Sequence, residues 1–146
     1  MPIIKLSQVI DRPAHQVFRV IADVGMLAEW NPTIKSARKL SDGPAGEGTR
    51  FEMELDGLGA VPHTLEEFRL NVQARYVPHF KVNSGGHRFV LTPQGEKTKV
   101  EHELEMRPKG FYVLMSPLMG MIGRKNLKLT ADALKRYVEG LPRQAS

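Results

Sequence analysis

The sequence predicts one α+β domain, spanning residues 1–146, in which a curved antiparallel sheet of about seven strands wraps around a long C-terminal helix. Two periodicities carry this prediction. Apolar and polar residues alternate along much of residues 50–106, as they do in strands with one buried face. After residue 110 the apolar spacing changes to the 3.6-residue period of a helix. The length of 146 residues is sufficient for one core.

The first thirty residues predict a strand followed by two short helices. Residues from Ile3 to Ile10 are mostly β-branched and apolar, and Pro13 ends this strand where a helix begins. Apolar residues then recur at helical spacing from Ala14 to Ala22. A second short helical segment ends at Trp30, because Pro32 disfavours a longer helix.

The central part of the chain predicts the remaining strands. Thr33 to Leu40 and Arg50 to Leu55 form the next two, and the second of these alternates strictly. Between Val61 and Asn83 the pattern leaves open whether there is one long strand or two, although Phe80 to Asn83 has the composition of a separate strand. The clearest hairpin lies within residues 87–106, with its turn near Gly95.

The final helix is predicted from the residues after Gly110. If Ser116 is the N-cap and Pro117 the first helical residue, the helix ends at Glu139 and is about 34 Å long. Alternatively, it begins near Gly110 and kinks at Pro117. Gly140 supplies the terminating residue.

Composition excludes several classes of protein. No apolar segment is long enough to span a bilayer and the N-terminus lacks signal-peptide features, so we expect a soluble cytoplasmic protein. The chain has no cysteine, which excludes disulfides and thiol nucleophiles. Its five histidines lack metal-ligand spacing, and its glycines form no nucleotide-binding motif. We therefore expect neither a metal nor a cofactor.

Positive charge is concentrated in the C-terminal segment. Residues 107–146 contain eight Lys or Arg and two Asp or Glu, a net charge of +6, whereas the whole chain has +5. This segment is either a solvated helix face or a contact surface for an anionic membrane or an acidic ligand. Nucleic acid is not an expected partner, because no aromatic residues interleave with these cations.

Several short motifs are distributed along the whole chain. They are Ile10-Asp11-Arg12-Pro13-Ala14, Val17-Phe18, Asp23, Trp30-Asn31-Pro32, Gly48-Thr49-Arg50-Phe51, Thr98-Lys99-Val100 and Pro117-Leu118-Met119-Gly120. Together with the order of strands and helices, they resemble the START-like superfamily, also called SRPBCC or helix-grip, and within it the polyketide cyclase/dehydrase branch. The resemblance implies a cavity between sheet and helix for lipids, sterols, quinones, polyketides or similar molecules. It does not imply one reaction.

Alternation selects the residues that would line such a cavity, because each strand presents one row of side chains to the helix. Polar groups in those rows need a hydrogen-bond partner, which can be protein, water or ligand. The candidate ligand-binding residues are Trp30, Phe51, Met53, Leu55, Phe89, Leu91, His102, Leu104, Met115, Met119 and Ile122. The candidate catalytic residues are His102, His87 and Tyr76, and Gln8 shares an inward row.

Three functions remain open at this stage. The first is binding or carriage of an apolar small molecule, because no catalytic constellation is evident. The second is a polyketide cyclase or dehydratase in which His102, His87 or Tyr76 transfers a proton. The third is a membrane-surface accessory protein that uses its basic C-terminal segment. The sequence does not determine the ligand or the oligomeric state.

Overall fold

The computed structural model describes residues 3–55, 59–79 and 83–144. The elements are β1 (Ile3–Ile10), α1 (Ala14–Ala22), α2 (Leu27–Trp30), β2 (Ile34–Lys39), β3 (Arg50–Leu55), β4 (Gly59–Arg69), β5 (Gln73–Pro78), β6 (Asn83–Gln94), β7 (Lys97–Pro108) and α3 (Ser116–Glu139). Two 3₁₀ helices, Val24–Met26 and Gly110–Met115, precede α2 and α3. The predicted α+β class, with two short helices after the first strand, is confirmed.

The seven strands form one antiparallel sheet in the order β1-β7-β6-β5-β4-β3-β2. The first strand therefore pairs with the last one, which places β1 and β7 together beneath α3. The open question between Val61 and Asn83 resolves into two strands, because the chain turns between Arg69 and Gln73. Most of the strand expected at Phe80 to Asn83 lies outside the described residues, and β6 begins at Asn83.

Helix α3 packs on the concave face of the sheet through a stripe of buried residues. The stripe consists of Gly120, Gly123, Leu127, Thr130, Ala131, Leu134 and Val138. The approach is closest at Gly123, where an added Cβ would lie 2.6 Å from Met106 Sδ and 3.2 Å from Ile4 Cδ1. Small residues in this stripe therefore allow α3 to approach β1 and β7.

The predicted N-cap of α3 is wrong. Ser116 is the first helical residue, and its hydroxyl donates a hydrogen bond to the Val113 carbonyl at 2.7 Å. The physical reason is that the 3₁₀ helix Gly110–Met115 continues directly into α3, which leaves no extended residue in the capping position. Pro117 lies in the first turn, as expected, and Gly140 follows the last helical residue.

The other end of α3 is held by residues at the junction of β1 and α1. The Arg12 guanidinium donates hydrogen bonds to the Glu139 carbonyl at 2.6 Å and to the Leu141 carbonyl at 2.9 Å. Gln16, buried in α1, donates to the Pro142 carbonyl at 2.9 Å. These bonds satisfy carbonyl groups at and beyond the helix end that α3 itself leaves free. The C-terminal end of α3 is thus fixed to the start of the chain.

Gly85, in β6, provides a test of the packing between adjacent strands. Its φ of +124° is rare for other residues, and an added Cβ would lie 2.1 Å from the Glu105 carbonyl oxygen in β7. We expect Gly85→Ala to lower the free energy of unfolding by about 3 kcal/mol or more, because strain and a backbone clash act together. Equilibrium urea denaturation measures this change.

Gly95 supplies the matched control for this substitution. It also has a positive φ, +67°, but nothing lies within 4 Å of an added Cβ. Gly95→Ala should therefore cost only the conformational strain, about 1–2 kcal/mol. Equal effects of the two substitutions would contradict the importance of the close approach at Gly85.

Candidate ligand-binding site

A chain of hydrogen bonds crosses from the sheet to α3. His87 Nε2 in β6 lies 3.1 Å from His102 Nδ1 in β7, and His102 Nε2 lies 2.6 Å from Gln8 Oε1 in β1. The Gln8 amide nitrogen donates to the Ala131 carbonyl of α3 at 2.9 Å. The order β1-β7-β6 places these three strands side by side, and alternation directs all three side chains inward. Polar side chains from three strands are thereby joined to the helix.

The hydrogen-bond partners determine which ring nitrogen of His102 and of His87 carries the proton. Because the Gln8 amide nitrogen donates to Ala131, its Oε1 accepts a proton from His102 Nε2. His102 Nδ1 is then an acceptor, and it receives the Nε2 proton of His87. A neutral His87 consequently carries a lone pair on Nδ1. Among the described residues, the network ends at this nitrogen.

Burial keeps both histidines neutral near pH 7. Desolvation lowers the pKa of His102 to about 4. Desolvation also lowers the pKa of His87 well below its ordinary value of 6.5, and repulsion from His102 adds to this effect. The neutral forms agree with the tautomers, since a protonated His102 would have no acceptor for His87.

The two histidines differ in accessibility. His102 is completely buried, whereas His87 keeps part of its surface accessible. The His87 ring stacks on Phe89 with centroids 4.1 Å apart, and it meets Tyr76 edge-on at 6.2 Å. Of the two histidines, His87 is therefore the one whose ring could contact another molecule, and Phe89 and Tyr76 border it.

The space between sheet and helix widens toward the start of α3. Gly120 is buried on the inward stripe, yet no described heavy atom lies within 4 Å of an added Cβ. One turn later, at Gly123, an added Cβ would instead collide with Met106 and approach Leu104. Leu104 and Met119 are only half-buried in this region. The helix thus contacts the sheet closely at Gly123 and stands away from it at Gly120.

The structure brings most of the sequence-predicted site residues to the inner face of the sheet. Those buried in the same core cluster are Trp30, Phe51, Met53, Tyr76, Phe89 and Leu91, with Leu55 packed against it. Met115 and Ile122 are not brought there. They are 39% and 51% exposed, and Ile122 lies on the outer side of α3.

Two of the aromatic candidates have distinct polar roles. The Tyr76 hydroxyl donates to the Ile21 carbonyl, which ties β5 to α1, and burial raises its pKa. The Trp30 ring is buried, and its indole nitrogen has no hydrogen-bond partner among the described residues. An unpaired buried N–H is unusual in folded proteins.

Sequence reasoning missed His63 in β4. It is buried, it stacks on Phe51 with centroids 5.3 Å apart, and its Nδ1 bonds the Val61 carbonyl at 2.9 Å. Desolvation lowers its pKa to about 4. The alternation of Val61, His63 and Leu65 is the signal that could have identified it.

A separate cleft of about 490 Å³ lies beside α1. Its lining comes from α1, the 3₁₀ helix that follows, the end of β2 with the loop after it, and the end of β4 with the turn after it, and it includes Phe18, Arg19, Lys39, Phe68 and Leu70. None of the described lining residues is among the sequence-predicted site residues. This cleft is a rival location for a ligand.

Within residues 3–55, 59–79 and 83–144, no three His, Asp or Glu side chains are grouped as a metal site requires. No helix formed by these residues is long and apolar enough to cross a membrane. The cytoplasmic location remains a prediction.

Comparison with protein families identifies the family to which the chain belongs. The model of a family described as polyketide cyclase / dehydrase and lipid transport matches residues 1–139. The chain belongs to this family. Comparison with curated proteins gave no match.

Solved structures share the fold of this polyketide cyclase / dehydrase family member at low identity. A START superfamily protein from Mycobacterium smegmatis is 19% identical, with a TM-score of 0.78 over 96% of this chain and 99% of that one. An aromatase/cyclase from Streptomyces sp. R1128 is 14% identical, with a TM-score of 0.72 over 94% and 93%. Norcoclaurine synthase from Thalictrum flavum is 15% identical, with a TM-score of 0.71 over 98% and 89%. These likenesses show the helix-grip fold alone.

The buried histidines make stability depend on pH. His102 and His63 have folded-state pKa values of about 4, below their ordinary value of 6.5, so between these values the unfolded chain binds more protons. The free energy of unfolding should therefore fall as the pH is lowered from about 6.5 toward 4, by about 1 kcal/mol per pH unit for each histidine. Urea denaturation across this range measures the slope. His102→Gln should reduce it by one histidine's share, and an unchanged slope would contradict this assignment.

Proposed function

We propose that the protein binds an apolar small molecule between the sheet and the N-terminal half of α3. The observation that carries this proposal is the space beside Gly120, a buried residue on the inward stripe with no described atom within 4 Å of an added Cβ. Protein interiors are otherwise close-packed, so space inside such a stripe suits a ligand. The half-buried Leu104 and Met119 supply apolar walls.

The hydrogen-bonded side chains His87, His102 and Gln8 support a more specific proposal. It is that the ligand is an apolar molecule that carries a hydroxyl group. The Nδ1 lone pair of neutral His87 can accept one hydrogen bond, and Phe89 and Tyr76 surround the ring with aromatic surface. A buried acceptor favours a ligand with a matching donor and disfavours one without it. The structural neighbour norcoclaurine synthase was solved with dopamine and hydroxybenzaldehyde, both of which carry a phenolic hydroxyl group.

Filling the space beside Gly120 tests the location of the site. Gly120→Leu should weaken binding of 2-naphthol, a fluorescent apolar phenol, by about tenfold or more, because the side chain occupies the ligand's volume. The same change should not lower stability, since leucine is about 0.8 kcal/mol better than glycine in a helix. Fluorescence titration and urea denaturation measure the two effects.

Asn126→Leu is the matched control, because it adds the same side chain at an exposed position of α3. It should bind 2-naphthol as the unmodified protein does. If Gly120→Leu also bound the probe normally, the site would have to lie elsewhere, and the cleft beside Phe18 and Phe68 would become the better candidate.

A second candidate function is catalysis of the cyclase or dehydratase type. The specific observation in its favour is the lone pair on neutral His87, which is backed by a proton-carrying chain through His102 to Gln8. This arrangement supplies the free lone pair that a general base requires. An aromatase/cyclase is among the proteins of the same fold. In this alternative His87 is the proton acceptor, and His102 positions it.

His87→Gln separates the two functions. If His87 only orients a ligand, 2-naphthol should bind about tenfold more weakly at most, because one hydrogen bond is worth about 0.5–1.5 kcal/mol. Naphthalene, which lacks the hydroxyl, should bind to the variant and the unmodified protein alike. If His87 transfers a proton, turnover of a poly-β-keto substrate should fall by about 100-fold to 10,000-fold with little change in product affinity. An equal loss for 2-naphthol and naphthalene would contradict both roles.

A further inference from the structure

An apolar surface, here called the outer patch, lies on the side of α3 that faces away from the sheet. It continues onto the preceding 3₁₀ helix, where Leu114 is 77% exposed, and on α3 itself Met121 is 66% exposed. The remaining large apolar members are Val113, Leu118, Ile122 and Leu129. Single exposed apolar residues are common, but six along one short segment form a contiguous surface of the kind that marks an interaction site.

The outer patch is accompanied mainly by positive charge. Between Arg107 and Ala131 the sequence contains five cationic residues and no acidic one, and the acidic residue that follows, Asp132, forms an ion pair with Lys128 at 3.6 Å. Lys125 falls between Ile122 and Leu129 on the same side of the helix, at spacings of three and four residues. Arg124 and Lys128 flank it and are also exposed. This combination of apolar side chains with surrounding cations is typical of helices that lie in a bilayer interface.

We propose that the outer patch docks the protein on an anionic lipid bilayer, with the apolar side chains in the interface and Arg124, Lys125 and Lys128 at the headgroups. Charge complementarity selects this occupant. A second copy of the chain, packed by a two-fold axis through the patch, would bring the same cations together across the contact. An anionic bilayer instead attracts each of them.

The position of the outer patch relates docking to the proposed ligand site. The 3₁₀ helix follows Pro108, at the end of the sheet where β7 and β3 end and β6 begins. α3 also separates from the sheet toward this end, at Gly120. The further idea that a ligand enters from the bilayer at this end rests on the proposed function. Docking itself does not depend on it.

Vesicle flotation with the full chain tests the proposal. The protein should bind vesicles of phosphatidylcholine with phosphatidylserine, bind those of phosphatidylcholine alone much more weakly, and be released by high salt. Arg124→Gln with Lys125→Gln should weaken binding by roughly 25-fold, about fivefold for each cation removed. Leu114→Gln with Met121→Gln should weaken it by about tenfold or more, because apolar burial is lost.

Matched controls remove similar groups away from the patch. Arg50→Gln with Arg69→Gln removes two exposed cations from the strands, and Leu70→Gln removes a side chain that is 71% exposed in the turn after β4. Both controls should bind vesicles as the unmodified protein does.

Three results would overturn the proposal. They are the absence of binding to phosphatidylserine vesicles, an equal loss in the controls, and a dimer in sedimentation velocity that the Leu114→Gln and Met121→Gln variant dissociates while vesicles are not bound. The last result would assign the outer patch to a second copy. Binding of 2-naphthol is measured on the same samples, so failure of docking is distinguishable from failure of the proposed ligand site.

Discussion

The distance between α3 and the sheet is the constraint on which the rest of the structure depends. At its C-terminal end the helix is fixed by Arg12, which bonds the Glu139 and Leu141 carbonyls, and by Gln16. At Gly123 it lies so close to β1 and β7 that a single added carbon would collide with Met106. Beyond this point, toward its start, the helix has no comparable contact at Gly120. A helix held at its C-terminal end and at Gly123, two turns from its start, leaves only its first turns to border a ligand.

The series of hydrogen bonds from His87 to Ala131 supports a ligand site between α3 and the sheet. Removing polar side chains from water is unfavourable unless each finds a partner, and a fully satisfied network fixes their orientations. Here Gln8 and His102 satisfy one another and the helix, which leaves the Nδ1 lone pair of His87 at the accessible end. Desolvation keeps both imidazoles neutral. The outcome is one hydrogen-bond acceptor of defined orientation inside an aromatic wall.

Much of the inner face could be predicted from the sequence, because the period of a strand is two and strict alternation leaves only two choices of face. Phe51, Met53, Phe89 and Leu91 were assigned in this way, and the structure buries all four. The same reasoning put His87 and His102 in inward rows, although their hydrogen bond to each other depends on strand register. Register is a tertiary property that the local pattern does not contain.

The start of α3 could not be predicted in the same way, because a helix has no such two-fold choice. The passage from the 3₁₀ helix into α3 at Ser116 changes the angular step per residue, so the stripe of α3 does not define which side of the 3₁₀ helix is buried. Met115 was expected on the inside and is exposed for this reason. Ile122 lies within α3, and extending the stripe back from Leu127 and Ala131 at 3.6 residues per turn puts it on the outer side, where it is exposed. The apolar outer patch added to the ambiguity, since both sides of these turns are apolar. The space beside Gly120 arises from packing between distant segments and has no sequence signal.

The most direct test of the account is an NMR measurement of intermolecular nuclear Overhauser effects between 2-naphthol and the isotope-labelled protein. The account predicts contacts from the naphthol ring to the Gly120 Hα protons, the Met119 methyl group and the His87 ring. Contacts to Phe68 and Leu70, which line the cleft beside α1, would contradict it. Saturable binding without any contact to Gly120 or His87 would contradict it as well.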